Sequence, residues 1–245
     1  MSSSENKFPP GKEQLATGTS SGEREVIPPE PPAMSESPPR ILIIGAGSRG
    51  QAYARAIRLS SNGIVTAVAE PDEYKRSRFA RTMIWGGAVP PAEGTVFSDW
   101  RDFIAYEKKR RARIQAGDQG VPIGVDAVFV CVLDEMHRDV VVALTKLGGL
   151  HIMCEKPLAT SLADCVDLYK ALRSNRNGDG EQMVFSIGHV LRYSPHNILL
   201  RKLVLEDRVI GDILSVAHTE VRLTGDDSSP HVLPSSSNSI LITMK

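Results

Sequence analysis

Residues 40–59 read RILIIGAGSRGQAYARAIRL, and the parsing of this stretch decides the fold. From Ile41 to Ile44 the run is wholly apolar and rich in β-branched side chains, as suits a short strand buried on both faces. It stops at Gly45-Ala46-Gly47. From Ser48 onward the pattern changes, with Ala52, Ala56 and Leu59 recurring at helical spacing. Strand, tight turn and helix follow in immediate succession.

The same alternation repeats downstream. GIVTAVAE (63–70) reads as a second strand, PDEYKRSRFARTM (71–83) as a helix opened by Pro71, and TVF (95–97) as a short strand. SDWRDFIAYEKKRRARI (98–114) is a helix with Ser98 as its cap, DAVFVCVL (126–133) an apolar strand, and EMHRDVVVALTKLG (135–148) a helix stopped by Gly148. HIMCE (151–155) is the next strand. Ser161 with Asp164 then makes a capping box for the helix at 161–174, and QMVFSIG (182–188) is the sixth strand. A helix at 195–207 and a strand at 211–220 open a different layer. Residues 110–124 form a polar excursion, expected as a surface insertion. Apolar strands alternating with helices predict an α/β fold: a doubly wound parallel sheet covered on both faces, followed by the start of an α+β domain.

GAGSRG (45–50) fits G-x-G-x-x-G, and it stands between a strand and a helix, the context that gives the motif meaning. Gly45 allows the tight turn, Gly47 lets backbone approach a pyrophosphate, and Gly50 lets the helix pack closely on the sheet. The N–H groups at Ser48, Arg49 and Gly50 would face the phosphates. The second strand ends at Glu70, where a carboxylate takes ribose hydroxyls. A dinucleotide is the preferred ligand of this Rossmann-type turn. The alternatives are S-adenosylmethionine, FAD or no ligand. Glu70 favours NAD, since it would repel a 2′-phosphate, while Lys75 and Arg76 nearby favour NADP.

Composition narrows the function classes. In 245 residues, 29 basic and 29 acidic side chains cancel, so no global field recruits nucleic acid or an anionic membrane. The basic run EKKRRAR (107–113) lacks an aromatic platform and reads as a solvated helix face. A small-molecule substrate is therefore expected, with no nucleic-acid or membrane partner. Cys131, Cys154 and Cys165 sit in apolar surroundings without a C-x-x-C pair, as buried thiols of a reducing compartment. No metal site is expected. With neither a secretory nor an organelle signal, nor any run of membrane-spanning length, the expected location is cytoplasmic.

The fifth strand ends in MCEKPLAT, which places Glu155, Lys156 and Pro157 at the carboxyl edge of the sheet, where ligands of open α/β folds collect. Taken with GAGSRG, with His137 after the fourth strand and with GHVLRYSP (188–195) after the sixth, the chain over residues 40 to about 220 resembles the glucose-fructose oxidoreductase / inositol dehydrogenase (Gfo/Idh/MocA) family of NAD(P)-dependent oxidoreductases. The resemblance implies that Lys156 is catalytic, donating to the substrate oxygen whose carbon gives or receives hydride, and that the Lys156–Pro157 bond is cis. It implies that Glu155 and Pro157 line the cofactor pocket, and that Arg192 and Tyr193 lie towards the substrate, although a plain helix start explains these two equally well. His137 reads as a helix-positioning residue. Many members carry a Thr-Pro step after the fourth strand where this chain has CVLDEMH (131–137), a departure that bears on one cofactor contact and not on the fold.

Four regions are expected: a disordered Ser/Pro-rich tail over 1–39, in which Met34 is a candidate alternative start; a cofactor domain over 40–188; the start of a truncated substrate domain over 189–220; and a low-complexity tail over 221–245. The resemblance implies that family members continue into a large antiparallel sheet bearing a histidine and aspartate that assist the lysine. The 25 residues after Glu220, six of them serine, are too few for it. His231, Asp226 and Asp227 have no scaffold to serve instead. Val221-Arg222 is compatible with the codons that begin an intron, so the tail reads as translated intron or as an alternative C-terminus. On this reading the strand at 211–220 lacks partners, the chain behaves poorly as a monomer, and the family-type homo-oligomer does not form. A non-catalytic nucleotide-binding module is the second reading of function.

Overall fold

The computed structural model describes residues 36–60, 63–86, 92–174, 183–221 and 237–243. Most of the predicted N-terminal tail, with Met34, and the residues Asp226, Asp227 and His231 lie outside these.

Six parallel strands form the central sheet: β1 (Arg40–Ile44), β2 (Ile64–Ala69), β3 (Val96–Phe97), β4 (Ala127–Val130), β5 (His151–Cys154) and β6 (Phe185–Ile187). Their order is β3-β2-β1-β4-β5-β6. Chain order reverses between β1 and β4, so a crevice opens there at the carboxyl ends of the strands. The helices between strands are α1 (Ser48–Ser60), α2 (Glu73–Phe79), α3 (Trp100–Gln115), α4 (His137–Leu147) and α5 (Leu162–Ser174).

Strand β1 shows why its sequence is continuously apolar. Leu42 and Ile44 point into one core layer, with Phe103 of α3, Val140 and Leu144 of α4 and Leu168 of α5. Ile41 and Ile43 point into the other, with Ala54 of α1 and Phe79 of α2. Both faces are covered, as expected of a parallel sheet.

Helix starts differ from the sequence reading in two places. Asp99, not Ser98, caps α3: its carboxylate accepts the Arg101 N–H at 2.8 Å, and Asp102 returns a bond to the Asp99 N–H at 3.1 Å. A carboxylate answers the positive end of the helix better than a hydroxyl does. Asp72, not Pro71, precedes α2, accepting the Lys75 N–H at 2.9 Å. At Ser161 half of the expected capping box forms: the hydroxyl accepts the Asp164 N–H at 3.1 Å, but the Asp164 carboxylate accepts from that same hydroxyl at 2.7 Å and not from the Ser161 N–H.

The run at 107–113 is not simply a solvated face. Glu107 is 1% exposed, and its carboxylate accepts from Arg110 Nε at 2.6 Å and Arg111 Nε at 2.8 Å. Arg111 also donates to the Leu147 and Gly148 carbonyls at 2.9 Å each, capping the end of α4, and Arg110 donates to the Pro122 carbonyl at 3.1 Å. A buried carboxylate needs such partners, and two cations one turn along the same helix supply them. The polar excursion is thereby tied down at its start, while residues 117–120 stay exposed.

After β6 come α6 (Pro195–Arg201) and a two-stranded antiparallel sheet of β7 (Ser215–Val221) and β8 (Ser237–Thr243). The expectation of a partnerless strand is corrected here. Val216 pairs with Ile242 and His218 with Ile240, so the apolar SILIT stretch of the tail satisfies one edge of β7. Such a stretch, β-prone and free of proline, finds the nearest open ladder.

Candidate functional site

The turn between β1 and α1 is built as its glycines require. Gly45 has φ +96°, and a Cβ there would lie 2.4 Å from the Cys131 carbonyl oxygen; one on Gly50 would lie 2.0 Å from the Gly45 carbonyl oxygen. Neither position has room for a side chain. Gly47 is different, since a Cβ there would meet nothing within 4 Å. Its bareness serves no internal packing and leaves the backbone open to whatever lies over the turn. The Gln51 N–H donates to the Gly47 carbonyl at 3.0 Å as the first bond of α1, which leaves the N–H groups of Ser48, Arg49 and Gly50 without intrahelical acceptors. These features suit a pyrophosphate.

Glu70 stands at the end of β2 and is brought directly to the turn. One carboxylate oxygen accepts the Ala46 N–H at 2.7 Å, and the other accepts the Asp72 N–H at 3.0 Å. Each oxygen keeps a further lone pair. Beside it, Arg76 Nη1 donates to the Glu70 and Pro71 carbonyls at 2.6 and 2.9 Å, holding a guanidinium at this edge of the crevice. Lys75 pairs with Asp72 on the surface.

Across the reversal point, β5 ends in Glu155-Lys156-Pro157. Glu155 is 5% exposed, whereas Lys156 and Pro157 are exposed. The Lys156–Pro157 bond is cis. This turn is held from two sides by residues of other elements. His137, fully buried at the start of α4 and read in the sequence as a helix-positioning residue, donates from Nδ1 to the Pro157 carbonyl at 2.7 Å and so ties the start of α4 to this turn. The Tyr53 hydroxyl, on α1, donates to Glu155 Oε1 at 2.5 Å, and Glu155 Oε2 accepts the Lys156 N–H at 3.2 Å.

Tyr53 was not among the residues the sequence singled out. The only signal for it was its position three after Gly50, which puts it on the same side of α1. Its ring meets Phe129 of β4 edge-on, at 5.5 Å between centroids. Gly188, just past β6, lets the pair approach, because a Cβ there would lie 2.9 Å from both the Tyr53 hydroxyl and Glu155 Oε1. Burial first, and then the bond to Glu155, push the Tyr53 phenol well above its ordinary pKa. Burial pushes the Cys131 and Cys154 thiols up to about 12, which makes both inert.

Arg192 and Tyr193 lie in a 3-10 turn (Val190–Tyr193) after β6, both exposed, and neither side chain makes a hydrogen bond or ion pair among the described residues. The structure does not join them to Lys156. Among the described residues no group of three or more His, Cys, Asp or Glu side chains could hold a metal, and no helix is long and apolar enough to cross a membrane.

Comparison with known proteins bears on this geometry. The family described as "Oxidoreductase family, NAD-binding Rossmann fold" (GFO_IDH_MocA) matches residues 39–178. The 2,7-anhydro-N-acetylneuraminate hydratase of Escherichia coli is 36% identical over 96 residues, which is 39% of this chain and 23% of that protein. The inositol 2-dehydrogenase/D-chiro-inositol 3-dehydrogenase of Shouchella clausii is 28% identical over 178 residues, 72% of this chain and 43% of that one. Among solved structures, myo-inositol 2-dehydrogenase from Lactobacillus plantarum shares the fold with TM-score 0.57 at 20% identity, covering 75% of this chain and 45% of that chain. Myo-inositol dehydrogenase from Lactobacillus casei, solved with NAD(H) and myo-inositol, gives TM-score 0.55 at 21% identity over 75% and 46% of the two chains. The chain thus spans less than half the length of these relatives. By the family match over more than half of its residues, with the glycine turn and strand order that go with it, this chain belongs to the Gfo/Idh/MocA family of oxidoreductases.

Proposed function

We propose that the chain binds a nicotinamide dinucleotide across the β1/β4 crevice, and that Lys156 donates to the oxygen of a carbinol or carbonyl carbon on a sugar, polyol or inositol-like substrate. When bound, the cofactor takes or gives the hydride at that carbon. The observation carrying this reading is the Glu155-Lys156-Pro157 turn: an exposed ammonium on a turn fixed by His137 and Tyr53, on the same sheet edge as a glycine turn open at Gly47. A fixed cation stabilises a developing alkoxide as an oxyanion donor does. Residues 40–188 are the cofactor domain in this reading. Residues 189–220, with Arg192 and Tyr193, begin the substrate side, and three unpaired cysteines suit a reducing cytoplasm.

Glu70 supports NAD through its acceptor oxygens at the ribose end. Arg76, held beside it, supports tolerance of a 2′-phosphate. NAD is the preferred of the two. The names of the relatives include both a hydratase and dehydrogenases, so the overall reaction is set by more than the cofactor half.

The test is NADH formation from NAD with myo-inositol and related polyols, for the 245-residue chain and Lys156→Met. Substrate-dependent turnover that Lys156→Met abolishes, with NADH binding retained, supports the oxidoreductase reading. Tight NADH binding without turnover on any polyol favours the nucleotide-binding module instead.

A further inference from the structure

Tyr53 and Glu155 form a buried pair for which the reading above has only a partial use. Glu155 could line a cofactor pocket in any buried orientation, yet it is fixed at both oxygens: Oε1 by the Tyr53 hydroxyl at 2.5 Å, Oε2 by the Lys156 N–H at 3.2 Å. Among the described residues no cation pairs with this carboxylate. It is 5% exposed, so its negative charge is little screened by water. The pair sits at the ends of β4, β5 and β6, with Phe129 beneath the tyrosine ring and Gly188 against both polar atoms. With the adenosine half of a dinucleotide at Glu70 and the β2 end, the β4–β6 side receives the nicotinamide half.

The oxidised nicotinamide ring carries a positive charge, and the reduced ring carries none. A fixed, unpaired carboxylate on the nicotinamide side therefore distinguishes the two forms. We infer that Tyr53 is a positioning residue that holds Glu155 as an aimed carboxylate, and that this pair biases the site towards the oxidised cofactor. The inference rests on the dinucleotide reading and adds to it a redox-state preference with a named source. Tyr53 remains a donor throughout the neutral range, because its phenol titrates far above it. Arg49 acts on Tyr53 and Cys131 from the glycine turn, and Lys156 is exposed next door; neither residue is altered in the variants below.

The experiment measures dissociation constants for NAD and NADH separately, by calorimetry on the 245-residue chain, for wild type, Tyr53→Phe and Glu155→Gln. Tyr53→Phe keeps the ring contact with Phe129 and removes only the donor. Glu155→Gln keeps the shape and removes the charge. Both variants are expected to raise the ratio Kd(NAD)/Kd(NADH) by about tenfold, the scale of one hydrogen bond to a charged group. A purely structural role would weaken both forms by the same factor, and that result would overturn the inference. So would an unchanged ratio in Glu155→Gln, which stands as the test if Tyr53→Phe does not fold. A wild-type chain that binds neither form removes the dinucleotide reading and this inference together, whereas binding of both with an unmoved ratio removes this inference alone.

Discussion

Gly50 and Gly47 show how much a single residue can carry. Gly50→Ala would place a methyl 2.0 Å from the Gly45 carbonyl oxygen, so α1 must shift off the sheet; a loss of about 2 kcal/mol in urea unfolding is expected. His137→Leu keeps volume but leaves the Pro157 carbonyl without its donor, at an expected cost of about 1–3 kcal/mol in the same assay. Gly45 and Gly50 were legible in sequence because each stands where the backbone leaves no room for a Cβ, whereas Gly47 answers no such demand within the fold. Lys156 and Glu155 were singled out through a motif. Tyr53 was not, and Gly188 entered only as the first residue of GHVLRYSP, since their contact with Glu155 arises only where α1 and the end of β6 converge on it.

At the scale of elements, hydrophobic pattern located the strands of the parallel sheet, most plainly β1, whose Ile41–Ile44 run is apolar because both of its faces are buried. Helix starts were harder. Ser98 and Asp99 are both good caps by type, and only the reciprocal bond with Asp102 selects the aspartate. The basic run of α3 misled for a related reason: a charged segment looks solvated until a buried partner is known. Burial alone would raise the Glu107 carboxyl, but hydrogen bonds from Arg110 and Arg111 outweigh it and hold the group below the ordinary glutamate value. A depressed carboxyl stabilises the fold fully above its unfolded pKa, about 4.3, and that contribution is lost as pH falls through the lower folded value. Glu107→Gln should therefore cost about 3 kcal/mol at neutral pH and lessen the fall in stability below about pH 4, as chemical denaturation across pH would show.

At the scale of the molecule, the sequence pattern called for a doubly wound parallel sheet, and the structure's order β3-β2-β1-β4-β5-β6 is of that kind, while the β7–β8 pairing was not anticipated. Composition marked the segment after Glu220 as low in complexity, yet SILIT within it supplies a complementary strand. A two-stranded ribbon is marginal by itself, whereas β1 and β4 lie at the centre of six strands. Hydrogen exchange should show β7 and β8 amides exchanging orders of magnitude faster than those of β1 and β4; equal protection would mean that the ribbon is packed against something more. The most direct test of dinucleotide binding at the β1–α1 turn is an NADH fluorescence titration of the 245-residue chain beside Gly47→Val, with thermal unfolding of each. The open space at Gly47 predicts saturable binding by wild type, lost in Gly47→Val with an unchanged melting temperature. Equal binding by the two proteins, or none by wild type, would contradict the account.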